Sequence, residues 1–270
     1  MMKRTLEVTT TYNKKYYDIC GKRKIETFIG KWPKHVHLHC YWQEQEPEIF
    51  AENVHYHELY KVSPQLEKFV KDNKDDPVKN GQVKDGYDYK HDGVKFSHKV
   101  FAQTHRIRNT TADVILYLDA DTYTHAEPNL DYIDSICPKD YLCTYFGRPK
   151  LYDETGFYMH NASHYKAIVW AETLEKIYLE GEVWTYPFQM DCYTMYSGRQ
   201  KFADQLQLDL VEHHGKLGKK HPFVNSPLGE FLDHLKGDRK ELGHSRASDF
   251  KGRFEERNKK IEHWKEVYDK

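Results

Sequence analysis

The apolar residues of this chain recur at two periods, and they divide it into strands and helices. Residues 4–13, RTLEVTTTYN, are β-branched and end in polar turn formers, which predicts a strand. Residues 34–42, KHVHLHCYW, alternate strictly between Pro33 and the polar run QEQEPE, and predict a second. SHKVFAQTHRIRN follows with Val100, Phe101, Thr104 and Ile107 at helical spacing, and the apolar run VILYL then climbs into Asp119. Ser163 is placed to cap a helix carrying Tyr165, Ile168, Val169, Leu174, Ile177 and Tyr178, with Gly181 as its stop. A last amphipathic helix is expected to hold Phe254, Ile261, Trp264 and Tyr268. Residues 71–93 are charged and carry Pro77, Gly81, Gly86 and Gly93, so they read as a surface loop or flap. Strands alternating with helices predict an α/β sandwich around a largely parallel sheet. Such sheets bind ligands beyond the carboxyl ends of their strands, where Asp119 and Asp121 fall.

Composition narrows the classes. The 270 residues can bury a full core. With 41 basic against 42 acidic residues, no global field marks a nucleic-acid or membrane binder. Five cysteines, widely spaced and without a CxxC pair, fit a reduced cytoplasmic setting better than a disulfide framework. The start MMKRTLEVTTTYNKKYY has no apolar signal region, and no later stretch reaches membrane-spanning length. The expectation is a soluble, unexported protein.

The chemistry begins at DAD, residues 119–121. Alternation sends residues i and i+2 of a strand to one face, so the carboxylates of Asp119 and Asp121 would converge. Side by side they repel unless a cation lies between them, and hard oxygen ligands favour Mg²⁺ or Mn²⁺. The plainer alternative is an acidic turn with Asp121 as a cap. An EF-hand loop is excluded, because its fifth and sixth positions would be Tyr123 and Thr124 instead of an oxygen ligand and Gly. A haloacid-dehalogenase type phosphotransferase would carry its aspartates near the N-terminus.

DHLKGDRK, residues 233–240, adds His234, Gly237 and Lys240 as HxxGxxK. Together with the DxD it resembles the motif pair of GT-A glycosyltransferases of the glycogenin and bacterial galactosyltransferase kind, although Glu241-Leu242 stands where that family has Pro-Trp. TTTYNKKYYD resembles the family's first strand and turn, FSHKVFAQTHRIRNTTADVILYLDAD its approach to DxD, and FQMDCYTMY its (Q/W)xD element with Gln189 and Asp191. Over most of its length the chain looks most like small glycosyltransferases encoded by tailed bacteriophages. The resemblance implies an α/β, GT-A type single domain with a Rossmann-like, mostly parallel sheet flanked by helices. Residues 1–121 would form the nucleotide-binding half, 122–245 the acceptor half and 246–270 a C-terminal helix. It implies a metal-dependent hexosyl- or pentosyltransferase using a nucleoside-diphosphate sugar, UDP-linked by analogy, and leans toward retention at the anomeric carbon. Asp119, Asp121 and His234 would bind Mn²⁺ or Mg²⁺. Gly237 and Lys240 would meet the diphosphate, Lys99 the nucleotide or phosphate, and Thr10, Tyr12 and Asn13 the nucleotide. Glu154 and Asp191 would contact sugar or acceptor, one of them as base.

Three other signals compete. His35, His37 and His39 share a strand face and His55 and His57 follow, a pattern that zinc enzymes use, although a partly exposed sheet face is its commoner fate. Residues 213–253 carry nine Lys or Arg against five acids, a local +4 that suits either a diphosphate loop or a nucleic-acid groove. Hydroxymethylated DNA is therefore expected as the acceptor, ahead of a glycan met by Tyr158, Trp170, Trp184 and Tyr186. The rival classes are a DxD phosphohydrolase or phosphotransferase and a non-catalytic sugar-binding module.

Overall fold

The computed structural model describes residues 4–44, 46–148, 151–215, 217 and 221–250. Eleven strands occur among them: β1 (Leu6–Tyr12), β2 (His37–Trp42), β3 (Val54–Glu58), β4 (Asn80–Val83), β5 (Gly86–Asp92), β6 (Val114–Leu118), β7 (Thr122–Thr124), β8 (Tyr141–Arg148), β9 (Leu151–Asn161), β10 (Leu206–Asp209) and β11 (Leu232–His234). Five longer helices accompany them: α1 (Lys22–Lys31), α2 (Pro64–Asn73), α3 (Gly93–Arg108), α4 (Ala167–Leu179) and α5 (Asp191–Lys201). Seven strands form one sheet in the order β10-β8-β9-β6-β1-β2-β3. All its neighbours pair in parallel except β9, which runs antiparallel to both β6 and β8. The sheet therefore draws strands from both sides of the DxD.

Burial on both faces explains why β6 is apolar throughout. Leu116 packs with Val8, Leu38 and Met159 under Ile25 and Phe28 of α1. Ile115 and Tyr117 turn the other way, toward Val100 and Phe101 of α3 and Trp170 and Leu174 of α4. Each such side chain contributes on the order of 2 kcal/mol by leaving water. Helices cover both faces, as the α/β reading requires, and the five cysteines are buried and free. Among the described residues no helix is long and apolar enough to cross a membrane.

Three local expectations are corrected. Residues 80–92 form an antiparallel hairpin of β4 and β5, and the glycines expected to loosen that stretch serve it with φ of +81° at Gly81 and +122° at Gly86. α3 starts at Gly93, four residues ahead of the predicted segment, because the Asp92 carboxylate accepts from Lys95 N at 2.8 Å as its cap. α4 starts at Ala167 and not at Ser163, whose hydroxyl donates to Asn161 Oδ1. Its buried stripe is Trp170, Ala171, Leu174, Ile177 and Tyr178, while Ile168 and Val169 are nearly half exposed. Gly181 does stop it, at φ +80°. The helix expected around Phe254–Tyr268 lies outside the described residues.

Candidate active site

The carboxylates of the DxD converge for a different reason from strand alternation. β6 ends at Leu118, and Thr122 N donates to Asp119 O at 3.0 Å, closing a tight turn over Ala120 and Asp121. β7 leaves that turn and pairs antiparallel with β11, which sets His234 opposite Thr122. Leu235 N donates to Asp121 O at 2.9 Å and extends the pairing to the turn itself. Phe231, Leu232 and Leu235 are buried beside Phe223 and Val224, so apolar packing holds the ribbon down.

This ribbon brings one ligand atom from each of Asp119, Asp121 and His234 within 4.8 Å of the others. His234 Nε2 lies 3.0 Å from Asp121 Oδ1 and 3.6 Å from Asp119 Oδ2. The second oxygen of each carboxylate is engaged elsewhere. Asp119 Oδ1 meets Lys99 Nζ at 2.6 Å and accepts from Tyr117 Oη at 3.2 Å, while Asp121 Oδ2 meets Lys240 Nζ at 2.6 Å. The two lysines thus fix the carboxylates and turn Asp119 Oδ2 and Asp121 Oδ1 toward the imidazole. Burial alone would raise the Asp121 carboxyl, but His234 and Lys240 outweigh it and hold it well below the usual range.

The residues fit a hard divalent ion. Two carboxylate oxygens and one imidazole nitrogen face a common point, where Asp121 Oδ1 is buried beside the His234 ring nitrogen. Such a ligand set would leave the remaining coordination positions of Mn²⁺ or Mg²⁺ to water or substrate oxygens.

Gly156 was not singled out within ETGFYMHNASHY, residues 154–165, which resembles the GT-A segment lining the donor-sugar and acceptor site, yet the ion site depends on it. A Cβ there would lie 2.1 Å from His234 Cε1 and 2.8 Å from Nε2, so the ring rests directly on bare backbone. Its carbonyl also accepts from Asp119 N at 3.0 Å. Lys236 and Lys24 were missed as well. Lys236 pairs with Glu154, clamping the HxxGxxK loop to β9. Lys24 lies buried beneath the turn and donates to Thr122 O at 3.3 Å. Burial lowers its ammonium to about 8, against the opposing pull of Cys40, Asp119 and Asp121. The GFYM that follows the acidic DET, and the lone lysine in the apolar stripe of α1, were the available signals.

Other expected residues take different places. Lys99 does not stand free for a nucleotide: it bridges Asp119 and Asp191, reaching Asp191 Oδ2 at 2.8 Å. Asp191 opens α5 and is joined to the ion site through that lysine. The Glu154 carboxyl, which burial would raise, is held far below its usual range by Lys236, His234 and Arg148, so it is a poor proton acceptor. Thr10 and Tyr12 face the core and not an open cleft, because the alternation that buries Val8 buries them too, and Tyr12 packs on Tyr17. Asn13 spends its side chain as a helix cap, accepting from Tyr16 N at 2.9 Å. Gln189 is tied to His91 and to the Tyr186 carbonyl. Gly237 holds φ +60° with open space around its Cβ position, so it serves the turn and not close packing. Tyr158 and Trp170 are fully buried core residues and not acceptor contacts, whereas Trp184 stacks on Phe69.

The histidines form a stacked array across β2 and β3. His37 Nδ1 lies 2.7 Å from His55 Nε2, His39 Nδ1 lies 3.0 Å from His57 Nε2, and His35 stands in the turn before β2. Arg106 donates to His39 Nδ1 at 3.1 Å, and a guanidinium in that position repels a second cation. Of the basic residues in 213–253, the four described ones are paired: Lys236 with Glu154, Arg239 with Asp249, Lys240 with Asp121 and Arg246 with Asp238.

No protein-family model matches the chain, and no curated protein matches it. Solved structures do. Mouse xyloside xylosyltransferase 1 aligns with 76% of this chain and 84% of its own, at a TM-score of 0.50 and 10% identity. The bifunctional glycosyltransferase WbbM aligns with 99% of this chain at a TM-score of 0.50 and 11% identity, and the chain spans 51% of its length. GlyE of Streptococcus pneumoniae TIGR4 aligns at a TM-score of 0.48 and 13% identity, over 99% of this chain and 62% of its own. The fold is the mixed α/β fold of GT-A glycosyltransferases, and its structural neighbours are glycosyltransferases.

Proposed function

We propose that this protein transfers a sugar from a nucleoside-diphosphate sugar to a hydroxyl acceptor, with Mn²⁺ or Mg²⁺ held by Asp119, Asp121 and His234. One observation carries the reading: Asp119 Oδ2, Asp121 Oδ1 and His234 Nε2 face one point while two lysines hold the outer carboxylate oxygens. When bound, such an ion stabilises the charge that builds on a departing diphosphate, worth several kcal/mol. Lys240 sets a second cation beside that charge. Asp191, ordered by Lys99, remains the carboxylate for sugar or acceptor contact, and Glu154 becomes the anchor of the Lys236 loop.

The test is a panel of sugar nucleotides with Mn²⁺, uridine-linked donors first, read by mass spectrometry. Pentosyl donors belong in it, since the mouse neighbour is a xylosyltransferase. Slow release of free sugar and nucleoside diphosphate, lost in EDTA and in Asp121→Asn and His234→Ala, is the expected result. Release of inorganic phosphate would instead favour the phosphohydrolase reading of the same DxD. Donor affinity unchanged by EDTA would remove the ion from the proposal. For the acceptor, hydroxymethylated DNA of a bacteriophage is the second reading, resting on the +4 of residues 213–253. It predicts incorporation into modified duplex that fades with salt.

A further inference from the structure

Tyr152, Phe188, Tyr193 and Tyr196 lie outside both apolar cores. They meet one another at the rim of the candidate site. Tyr152 of β9 packs on Tyr193 and lies edge-on to Tyr196, with ring centroids 5.3 Å apart. Phe188 lies edge-on to Tyr193 at 5.8 Å, and Tyr186 stacks on Tyr193 at 6.4 Å. Tyr193 shares the first turn of α5 with Asp191, and Tyr152 precedes Glu154 by two residues. The wall therefore begins where Lys99 and Lys236 tie Asp191 and Glu154 to the ion site, and it ends at Tyr196, 37% exposed.

The charges along this wall decide what it can hold. Arg199 forms a two-pronged pair with Asp153 at 2.7 Å, Arg148 faces Glu154 at 3.6 Å, and Lys201 pairs with Glu182. Lys90 stands 5.5 Å over the Phe188 ring. A nucleic-acid strand needs a row of cations free to meet its phosphates. Here three of the four are already matched by carboxylates. A neutral saccharide needs the opposite: aromatic faces for the weakly positive C–H face of a pyranose, and fixed polar groups for its hydroxyl edge.

We infer that the wall of Tyr152, Tyr186, Phe188, Tyr193 and Tyr196 is the acceptor subsite, and that its acceptor is a neutral saccharide. This rests on the transferase reading above, so the experiment must separate the two. Wild-type protein is given neutral methyl glycosides and short oligosaccharides, and binding is read by saturation-transfer NMR. In parallel, sugar transfer to the same panel and to a duplex containing 5-hydroxymethylcytosine is measured with a donor that the protein hydrolyses. The expected result is saturation concentrated on one C–H face of a saccharide that also accepts the sugar. Tyr196→Ala should raise the acceptor KM about ten-fold, the factor that ~1.4 kcal/mol of lost stacking gives, whereas Tyr196→Trp should keep it near wild type. Tyr196 is on the outer end of the wall, so an unchanged melting temperature is expected in both variants. Saccharide binding without hydrolysis of any donor would support the wall and overturn the transferase reading. Transfer to the modified duplex alone, or an acceptor KM unmoved in Tyr196→Ala, would overturn the inference.

Discussion

A single methyl group added at position 156 would collide with the His234 ring, and this makes the smallest side chain at the site one of its most consequential. Gly156→Ala should displace the imidazole while Asp119 and Asp121 stay in their turn. Mn²⁺ affinity, measured by calorimetry, is expected to fall about 10–100-fold, the range seen when groups that orient a ligand are disturbed. Affinity equal to wild type would mean that His234 is not a ligand. Lys99 allows a second prediction. Its ammonium is the partner of Asp191, whose side chain is 6% exposed, and it shares Asp119. Lys99→Met should cost about 3 kcal/mol in urea unfolding by stranding a buried carboxylate, and adding Asp191→Asn should recover part of that loss. Additive losses would show that the pair is not coupled. At this scale the grouping of Asp119, Asp121 and His234 was legible because motif chemistry is carried by residue type. Gly156 and Lys236 were not, since their importance lies in what β11 and β9 place against them.

The paired strands β2 and β3 carry a consequence for acid stability. Burial, reinforced by His39 and Arg106, lowers His57 to about 3. Burial and the guanidinium groups of Arg106 and Arg108 lower His105 to about 4, and His39 and His55 are lowered as well. Glu7 faces the same cluster, and His39 beside it, the hydrogen bond from Thr110 and the Arg106 guanidinium outweigh burial and bring it to about 2. A folded histidine with a depressed pKa binds fewer protons than the unfolded chain between that pKa and ~6.5. Its contribution is complete above ~6.5 and is lost as pH falls toward 3–4. Glu7 adds loss in the same direction below ~4.5. The urea midpoint is therefore expected to drop steadily from pH 7 to pH 5, and less steeply in a His55→Thr/His57→Thr variant. A flat profile for wild type would contradict the burial of these rings. Alternation in HVHLHC gave the strand and its face, but His35 proved to be outside it. The hairpin of β4 and β5 escaped because charge and glycine mark a turn without showing that its flanks pair.

Taken as one object, the molecule was legible as far as its sheet order permits. Apolar β6 could be recognised as a buried strand because it has a layer on each face, and the parallel majority followed from the alternation of strands and helices. The reversed β9 had no signature in the pattern, since a strand buried on both faces reads the same in either direction. It has a chemical role all the same: its Gly156 faces His234 and its Glu154 holds Lys236. For the whole protein the expectation is a metal-linked rise in stability. Saturating Mn²⁺ should raise the melting temperature of wild type by several degrees and leave His234→Ala unmoved, because an ion that binds only the folded state stabilises it by mass action. An equal shift in both proteins would place the ion elsewhere.

The pairing of β7 with β11 joins residues more than a hundred positions apart in sequence through only three register pairs. Contacts of such span close late, because the loop entropy must be met before they return any stabilisation. A chain emerging from the ribosome can complete β1, β2, β3 and β6 long before His234 exists, so the aspartates await their third partner. In a refolding experiment, secondary structure by far-ultraviolet circular dichroism should return before the capacity to bind Mn²⁺. The delay between the two signals would time the docking of the last segment onto a sheet already built.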